Sequence, residues 1–229
     1  MNEPNSSIDV ARLKADFPLL GQDVRGGRIV YLDSANTSQK PVQVLDAMDD
    51  FYRTINANVG RSTYDIAERA TNAMESARAR IARFVGATSA SEIVFTKNAT
   101  ESCNLVVQSW GRANLKSGDA VVLTHMEHHA NIVPWHMLAA ERDIELRWIP
   151  LTEDGQLDLT DLDRLIDGAK MVAFTAMSNV LGTLTPVREI TDRAHAAGAT
   201  VLLDASQMVP HLQTSVSYTH LTLPTICSV

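Results

Sequence analysis

Cysteine is scarce in this chain: Cys103 and Cys227 are the only two in 229 residues. Thiols so far apart build no disulfide framework and lack metal-type spacing. Their scarcity suits a reducing, cytoplasmic setting. Long apolar runs are missing too, and none approaches the roughly 20 residues that span a bilayer. The N-terminal stretch "MNEPNSSIDVARLKADF" lacks the basic-then-apolar layout of a signal peptide. Basic charge is short: 20 Lys and Arg stand against 27 Asp and Glu, a net charge of −7. That balance suggests no nucleic-acid partner. Internal repeats and low-complexity linkers are also lacking, so solenoid and tethered-module architectures are not indicated.

What is present is an ordinary globular balance, 45% hydrophobic and 21% charged, in a chain long enough to bury a real core. Strand-like apolar runs fall near 29–32, 92–95, 120–124, 145–149, 170–175 and 200–203. Helix-period segments alternate with them near 41–54, 63–85, 100–113, 130–142, 159–167 and 186–197. The stretch "TPVREITDRAHAAGATVLLD" shows the pattern: Pro186 suits a helix start, Ile190 and Ala194 share a face, Gly198 stops the helix, and a strand follows. Such alternation predicts an α/β fold with a mostly parallel sheet. The first 25 or so residues read as a polar arm leading into the domain.

Three strand-to-helix junctions carry candidate chemistry. In "IVFTKNATESCNLVVQSWG" a strand meets a helix beginning near Ala99 and Thr100, whose free amides and hydroxyl suit a phosphate. Thr and Asn also cap helices without any ligand. In "VVLTHMEHHANIVPWH" a strand is followed by His125, Glu127, His128 and His129. Zinc is weighed and not favoured, because the helical His-Glu-x-x-His spacing is absent and nothing completes a ligand set. A histidine there can instead stack on a flat ring or move protons, or sit in a polar surface turn. In "FTAMSNVLGTLTPV" and "TVLLDASQMVPH", Asn179 follows one strand, and Asp204 and Gln207 follow another. Asn179 can meet a ligand ring or form an Asx turn, and Asp204 can serve a ligand or cap a turn. Ligands in such sheets lie past the carboxyl ends of the strands.

Together the junctions supply a phosphate cradle, a flat aromatic, two amides and an acid on one rim. Pyridoxal phosphate needs that set, the carboxylate keeping its ring nitrogen protonated so that the ring draws electrons. "YLDSANTSQKP", "FTKNATESCNLV", "MEHHANIVPW", "SNVLGT" and "LLDASQMVPHL" together resemble the group II, SufS-type cysteine desulfurases, within the class V aminotransferase family of pyridoxal-phosphate enzymes. The likeness runs from about residue 8 to 213 in the family's order and spacing. It implies the three-layer α/β sandwich of the aspartate aminotransferase (fold type I) large domain.

The resemblance further implies a role for each matching residue. Ala99 and Thr100 would hold the phosphate, and His128 would stack on the ring and assist proton transfer. Asn179 and Gln207 would face the ring hydroxyl, and Asp204 would pair with the ring nitrogen. Arg61, with Ala35 and Asn36, would lie near the substrate. The implied reaction takes sulfur from L-cysteine, leaving alanine. A cysteine thiolate would carry the persulfide to a SufE- or SufU-like acceptor for iron–sulfur cluster assembly, in a cytoplasmic homodimer. Selenocysteine lyase, another class V lyase or epimerase, and a non-catalytic α/β binding remnant are the alternatives.

The sequence departs from the family at Gly60, usually His, and at Asn36, usually Ala, both near the substrate. The family's Schiff-base lysine, in a Ser-Gly-His-Lys stretch, and its nucleophilic cysteine, in a second domain, find no match. Lys14, Lys40, Lys97, Lys116 and Lys170 lack that context, and Cys103 reads as a small buried thiol. The last residues, "SVSYTHLTLPTICSV", break the pattern, and Val216–Thr225 can be back-translated into codons resembling a sequencing-library adapter. The expected organisation is an arm over 1–25, part of the cofactor-binding large domain over 26–214, a non-native tail over 215–229, and no small domain. As a fragment, the chain is expected to be inactive by itself.

Overall fold

The computed structural model describes residues 8–213, so the tail expected over 215–229 lies outside the described residues. The chain divides into two compact units, Met1–Ser76 and Ala77–Val229.

In the first unit, helix α1 (Val10–Ala15) is capped by Asp9, which accepts the Arg12 amide at 3.0 Å. Strands β1 (Asp23–Val24) and β2 (Gly27–Arg28) form a small antiparallel hairpin. Its two turn residues, Arg25 and Gly26, both have positive φ, the backbone twist that tight hairpins use. Helix α2 (Val42–Thr54) follows, and α3 (Asp65–Val85) crosses the division between the units. The strand expected near 29–32 does not form. The Tyr31 hydroxyl donates to the carbonyls of Asp33 and Thr37, folding this stretch into a turn. Val30 and Leu32 stay 80% and 91% exposed, without the buried face a strand needs.

The second unit is built on four parallel strands in the order β4-β3-β5-β6. These are β3 (Ala120–Thr124), β4 (Glu145–Ile149), β5 (Ala169–Thr175) and β6 (Thr200–Asp204). Each lies where the sequence places one. Before β3 a continuous helix runs through α4 (Ala99–Val106), a π-helical turn at Val107–Gly111 and α5 (Arg112–Asn114). Helices α6 (Val133–Arg142), α7 (Leu162–Ile166) and α8 (Val187–Ala196) make the three crossovers.

Side chains alternate along each strand and so divide the core in two. Val122, Val172, Phe174, Val201 and Leu203 pack with α7, α8 and the end of α3. Val121, Leu123, Met171, Ala173 and Leu202 pack with the α4–α5 helix and α6. Helices therefore cover both faces of the sheet, a three-layer arrangement.

The strand expected over 92–95 is also missing. A 3₁₀ turn covers Ala90–Glu92, and Ile93 beyond it is extended without a ladder partner among the described residues. Arg78 takes the partner's place: its guanidinium donates to the Ile93 carbonyl and lies 4.7 Å over the Phe95 ring. Among the described residues no helix is long and apolar enough to cross a membrane.

Candidate functional site

The register sets Thr124 level with Ile149, and Thr175 level with Asp204, at the carboxyl ends of the four strands. On this rim Asp204 is only 5% exposed. Its Oδ1 accepts both the Ser206 amide at 3.0 Å and the Ser206 hydroxyl at 2.6 Å. Oδ2 has no hydrogen-bond partner among the described residues. The acid therefore caps the following turn with one oxygen and presents the other. Gln207, three residues beyond Asp204, has its Nε2 3.2 Å from His211 Nε2.

At the start of α4 the Asn98 side chain accepts the Glu101 amide at 2.9 Å, and Glu101 reaches back to the Lys97 amide at 2.5 Å. This reciprocal cap leaves the Ala99 and Thr100 amides without an acceptor among the described residues. Thr100 is exposed. The helix dipole adds partial positive charge at the same point. The Thr96 and Ser102 hydroxyls meet at 2.5 Å and fasten the preceding segment to the helix.

After β3 the chain turns at Met126 into a 3₁₀ turn, His129–Asn131, which packs against α4. His128 caps that turn: its Nδ1 accepts the Ala130 amide at 3.1 Å. In the neutral ring the proton then sits on Nε2, which is left as a donor. His128 is exposed, with its ring centroid 6.3 Å from that of His129 at an interplanar angle of 47°. Among the described residues no group of three or more His, Cys, Asp or Glu could hold a metal ion.

Glu127 points into the protein. It accepts hydrogen bonds from Thr124 Oγ1 at 2.5 Å, the Thr175 amide at 2.8 Å and Asn131 Nδ2 at 2.8 Å. Asn131, wholly buried, accepts in turn from the Trp135 indole at 3.3 Å. Burial, with a smaller contribution from the Asp204 charge, pushes the Glu127 carboxyl up to about 7 against its three hydrogen bonds. Sequence reasoning used Glu127 and Asn131 only as neighbours of the histidines. The signal available was the spacing of Glu127, Asn131 and Trp135, four residues apart on one side of the turn.

Cys103 lies one turn into α4, wholly buried. Burial, then the charges of Asp204 and Glu127, push its thiol up to about 12, so it offers no thiolate near neutrality. Asn179 is exposed in the loop after β5. The turn there is held by Ser178, whose hydroxyl accepts the Val180 and Leu181 amides at 3.2 and 3.0 Å. The Asx-turn alternative for Asn179 therefore has no role to fill.

Ala35, Asn36 and Arg61 belong to the first unit. Asn36 donates to the Asp33 carboxylate at 3.4 Å within an exposed turn, where Ala35 is exposed too. Arg61 is exposed in a loop pinned by the Gly60 amide on Thr71 Oγ1 at 3.1 Å. Gly60 has φ +114°, a region that other residues rarely adopt. A histidine at this position, which the resemblance leads one to expect, would therefore require a different backbone here.

A parallel α/β sheet with helices on both faces matches the large-domain architecture of the pyridoxal-phosphate-dependent transferases. The family described as "Aminotransferase class-V" matches residues 30–221, and the chain belongs to it. The cysteine desulfurase of Dickeya dadantii (strain 3937) is 49% identical over 212 residues, covering 92% of this chain and 52% of the relative. The probable cysteine desulfurase of Streptomyces coelicolor is 46% identical over 215 residues, covering 91% and 51%. Among solved structures, the apo cysteine desulfurase from Thermococcus onnurineus NA1 superposes with a TM-score of 0.86 at 36% identity, over 96% of this chain and 52% of that one. The structure described as "SspA in complex with cysteine" matches with a TM-score of 0.76 at 25% identity, over 84% and 55%. The chain spans about half the length of the curated relatives it matches.

Proposed function

We propose that the chain is the cofactor-binding part of a group II, SufS-type cysteine desulfurase, acting through pyridoxal phosphate on L-cysteine. One observation carries the reading: at the end of β6, Asp204 is buried with Oδ1 occupied and Oδ2 free for a ring N–H donor. The other residues fit the same group. The unbonded Ala99 and Thr100 amides suit a dianionic phosphate. His128 offers a ring face and an Nε2 donor. The Gln207 and exposed Asn179 amides suit the ring hydroxyl.

When bound, the cofactor supplies an electron sink for charge developing on the amino acid. On this chain Asp204 would keep the ring nitrogen protonated, and His128 would stack on the ring and move a proton through Nε2. Arg61, with Ala35 and Asn36, would meet the substrate. Relatives carrying the desulfurase name, and a neighbour solved with cysteine, favour L-cysteine over other amino acids. Delivery of persulfide sulfur to an acceptor for iron–sulfur assembly, and a homodimeric state, belong to the same proposal.

The reaction also needs an amine to carry the cofactor and a thiolate to take the sulfur. Cys103 is not such a thiolate, and Lys14, Lys40, Lys97, Lys116 and Lys170 lack the family's context. The purified chain is therefore expected to bind pyridoxal phosphate reversibly. Borohydride should leave no cofactor attached, and L-cysteine should give no alanine above the rate with free cofactor. Asp204→Ala should weaken binding about tenfold or more, the scale of a charge-assisted hydrogen bond. Equal affinity in the two proteins would overturn the cofactor reading. Alanine formed at an enzymatic rate would overturn the inactivity of the isolated chain.

A further inference from the structure

Glu127 is a buried acid with no assigned task, yet three elements converge on it. Its donors are the Thr124 hydroxyl at the end of β3, the Thr175 amide at the end of β5, and Asn131 Nδ2 in the turn after His128. Regular pairing of β3 with β5 is last seen at Val122 and Val172. Beyond it, the Thr175 N–H goes to Glu127 Oε1. Thr175 lies level with Asp204, and Glu127 directly precedes His128. One carboxylate thus links the segment carrying the histidine to the strand beside the acid.

We propose that Glu127 is the positioning residue of this site: ionised, it ties the ends of β3 and β5 together and so fixes the His128 ring relative to the Asp204 carboxylate. The inference rests on the cofactor reading above. Three donors facing two oxygens match a carboxylate and mismatch a protonated acid or an amide. The titratable groups facing Glu127 are Asp204 from β6 and the Cys103 thiol from α4. The turn contributes Asn131, and β5 contributes Thr175. Asp204 disfavours the ionised Glu127 by charge repulsion. A ring proton shared with Asp204 would offset that repulsion, so cofactor binding favours ionised Glu127. By linkage, affinity must then rise as pH passes upward through the Glu127 range.

The test titrates pyridoxal phosphate into the unsubstituted chain and E127Q at about pH 6 and about pH 8, on either side of the Glu127 range. Their ratio cancels the titration of the cofactor itself. The affinity of the unsubstituted chain relative to E127Q is expected to rise about fivefold across that interval, at the low end of typical coupling. Without cofactor, the infrared spectrum should show a protonated-carboxyl band that disappears with a midpoint of about 7 and is missing from E127Q. If E127Q fails to melt cooperatively, T124V decides instead. It removes one donor to the carboxylate, so the rise in affinity should move to higher pH. Equal pH dependence in the unsubstituted chain and E127Q, or an unmoved rise in T124V, overturns the positioning role and leaves the cofactor reading standing. Failure of the unsubstituted chain to bind pyridoxal phosphate at either pH overturns both.

Discussion

Glu127 is an acid whose surroundings favour its proton, and this gives the fold a measurable pH dependence. Its carboxyl moves from an ordinary 4.5 to about 7 on folding. The folded chain therefore binds that proton more tightly than the unfolded chain. The contribution of Glu127 to stability is fully present below 4.5 and is lost as pH rises to about 7. The gap corresponds to about 3 kcal/mol. Carboxyls held low by partners, such as the half-buried Asp158 beside Thr160, act in the opposite direction. Comparison with E127Q isolates the one residue. Denaturant unfolding at a series of pH values should show the unsubstituted chain losing stability relative to E127Q between 4.5 and about 7, with no further relative change above. Parallel curves across that window would mean that Glu127 is ionised throughout.

At the scale of elements, the α4–α5 helix shows how closely two helices on one face of the sheet pack. The π-helical turn ends at Gly111, where an added Cβ would stand 3.0 Å from Leu138 Cδ2 and 3.5 Å from Trp135 Cζ3 on α6. Leu138 and Trp135 are both buried, so neither has room to retreat. Alanine gains up to ~1 kcal/mol of helix propensity over glycine, but overpacking a filled core costs about 1–3 kcal/mol. Gly111→Ala should therefore lower stability by about 1 kcal/mol, read as an earlier denaturant midpoint with an unchanged slope. A stabilised variant would show that α6 can shift. Three of the four paired strands were legible in the sequence as short β-branched or apolar runs closed by a polar residue, Thr124 in β3, Thr175 in β5 and Asp204 in β6, whereas β4 alternates charged and apolar residues and ends on Ile149 before Pro150. The runs at 29–32 and 92–95 have the same composition and form no ladder, because a strand also needs a neighbour that composition does not reveal. Asp204 stood out in the sequence as the acid that closes the apolar run of β6, and His128 as one of three histidines in the five residues after Thr124. The network around Glu127 was not, because its central bond joins residues 48 apart in the chain, across two strands.

At the scale of the whole molecule the two units are built on very different amounts of core. Between residues 8 and 76 the buried side chains are Ala67 and Ala70, each contributing a single methyl group. The second unit holds two clusters, one on each face of the sheet, with Trp135, Phe174, Leu123, Ile149 and Met171 fully enclosed. Burial of apolar area is the main favourable contribution to folding, about 25 cal/mol per Å² removed from water. Unfolding free energy should therefore be concentrated in the second unit, and the first should open by local fluctuation. Native-state hydrogen exchange resolves this directly. Amides of β3, β5 and β6 should exchange only through global unfolding, with opening free energies that fall as denaturant is added. Amides of α1 and the β1–β2 hairpin should exchange at least ~100-fold faster, through openings insensitive to low denaturant. Trypsin should correspondingly cut first within residues 8–64 and leave a core retaining β3 to β6. Equal protection in the two units would mean that the first unit unfolds only when the second does. Apolar burial within each unit would then be the wrong measure of how stability is distributed in this chain.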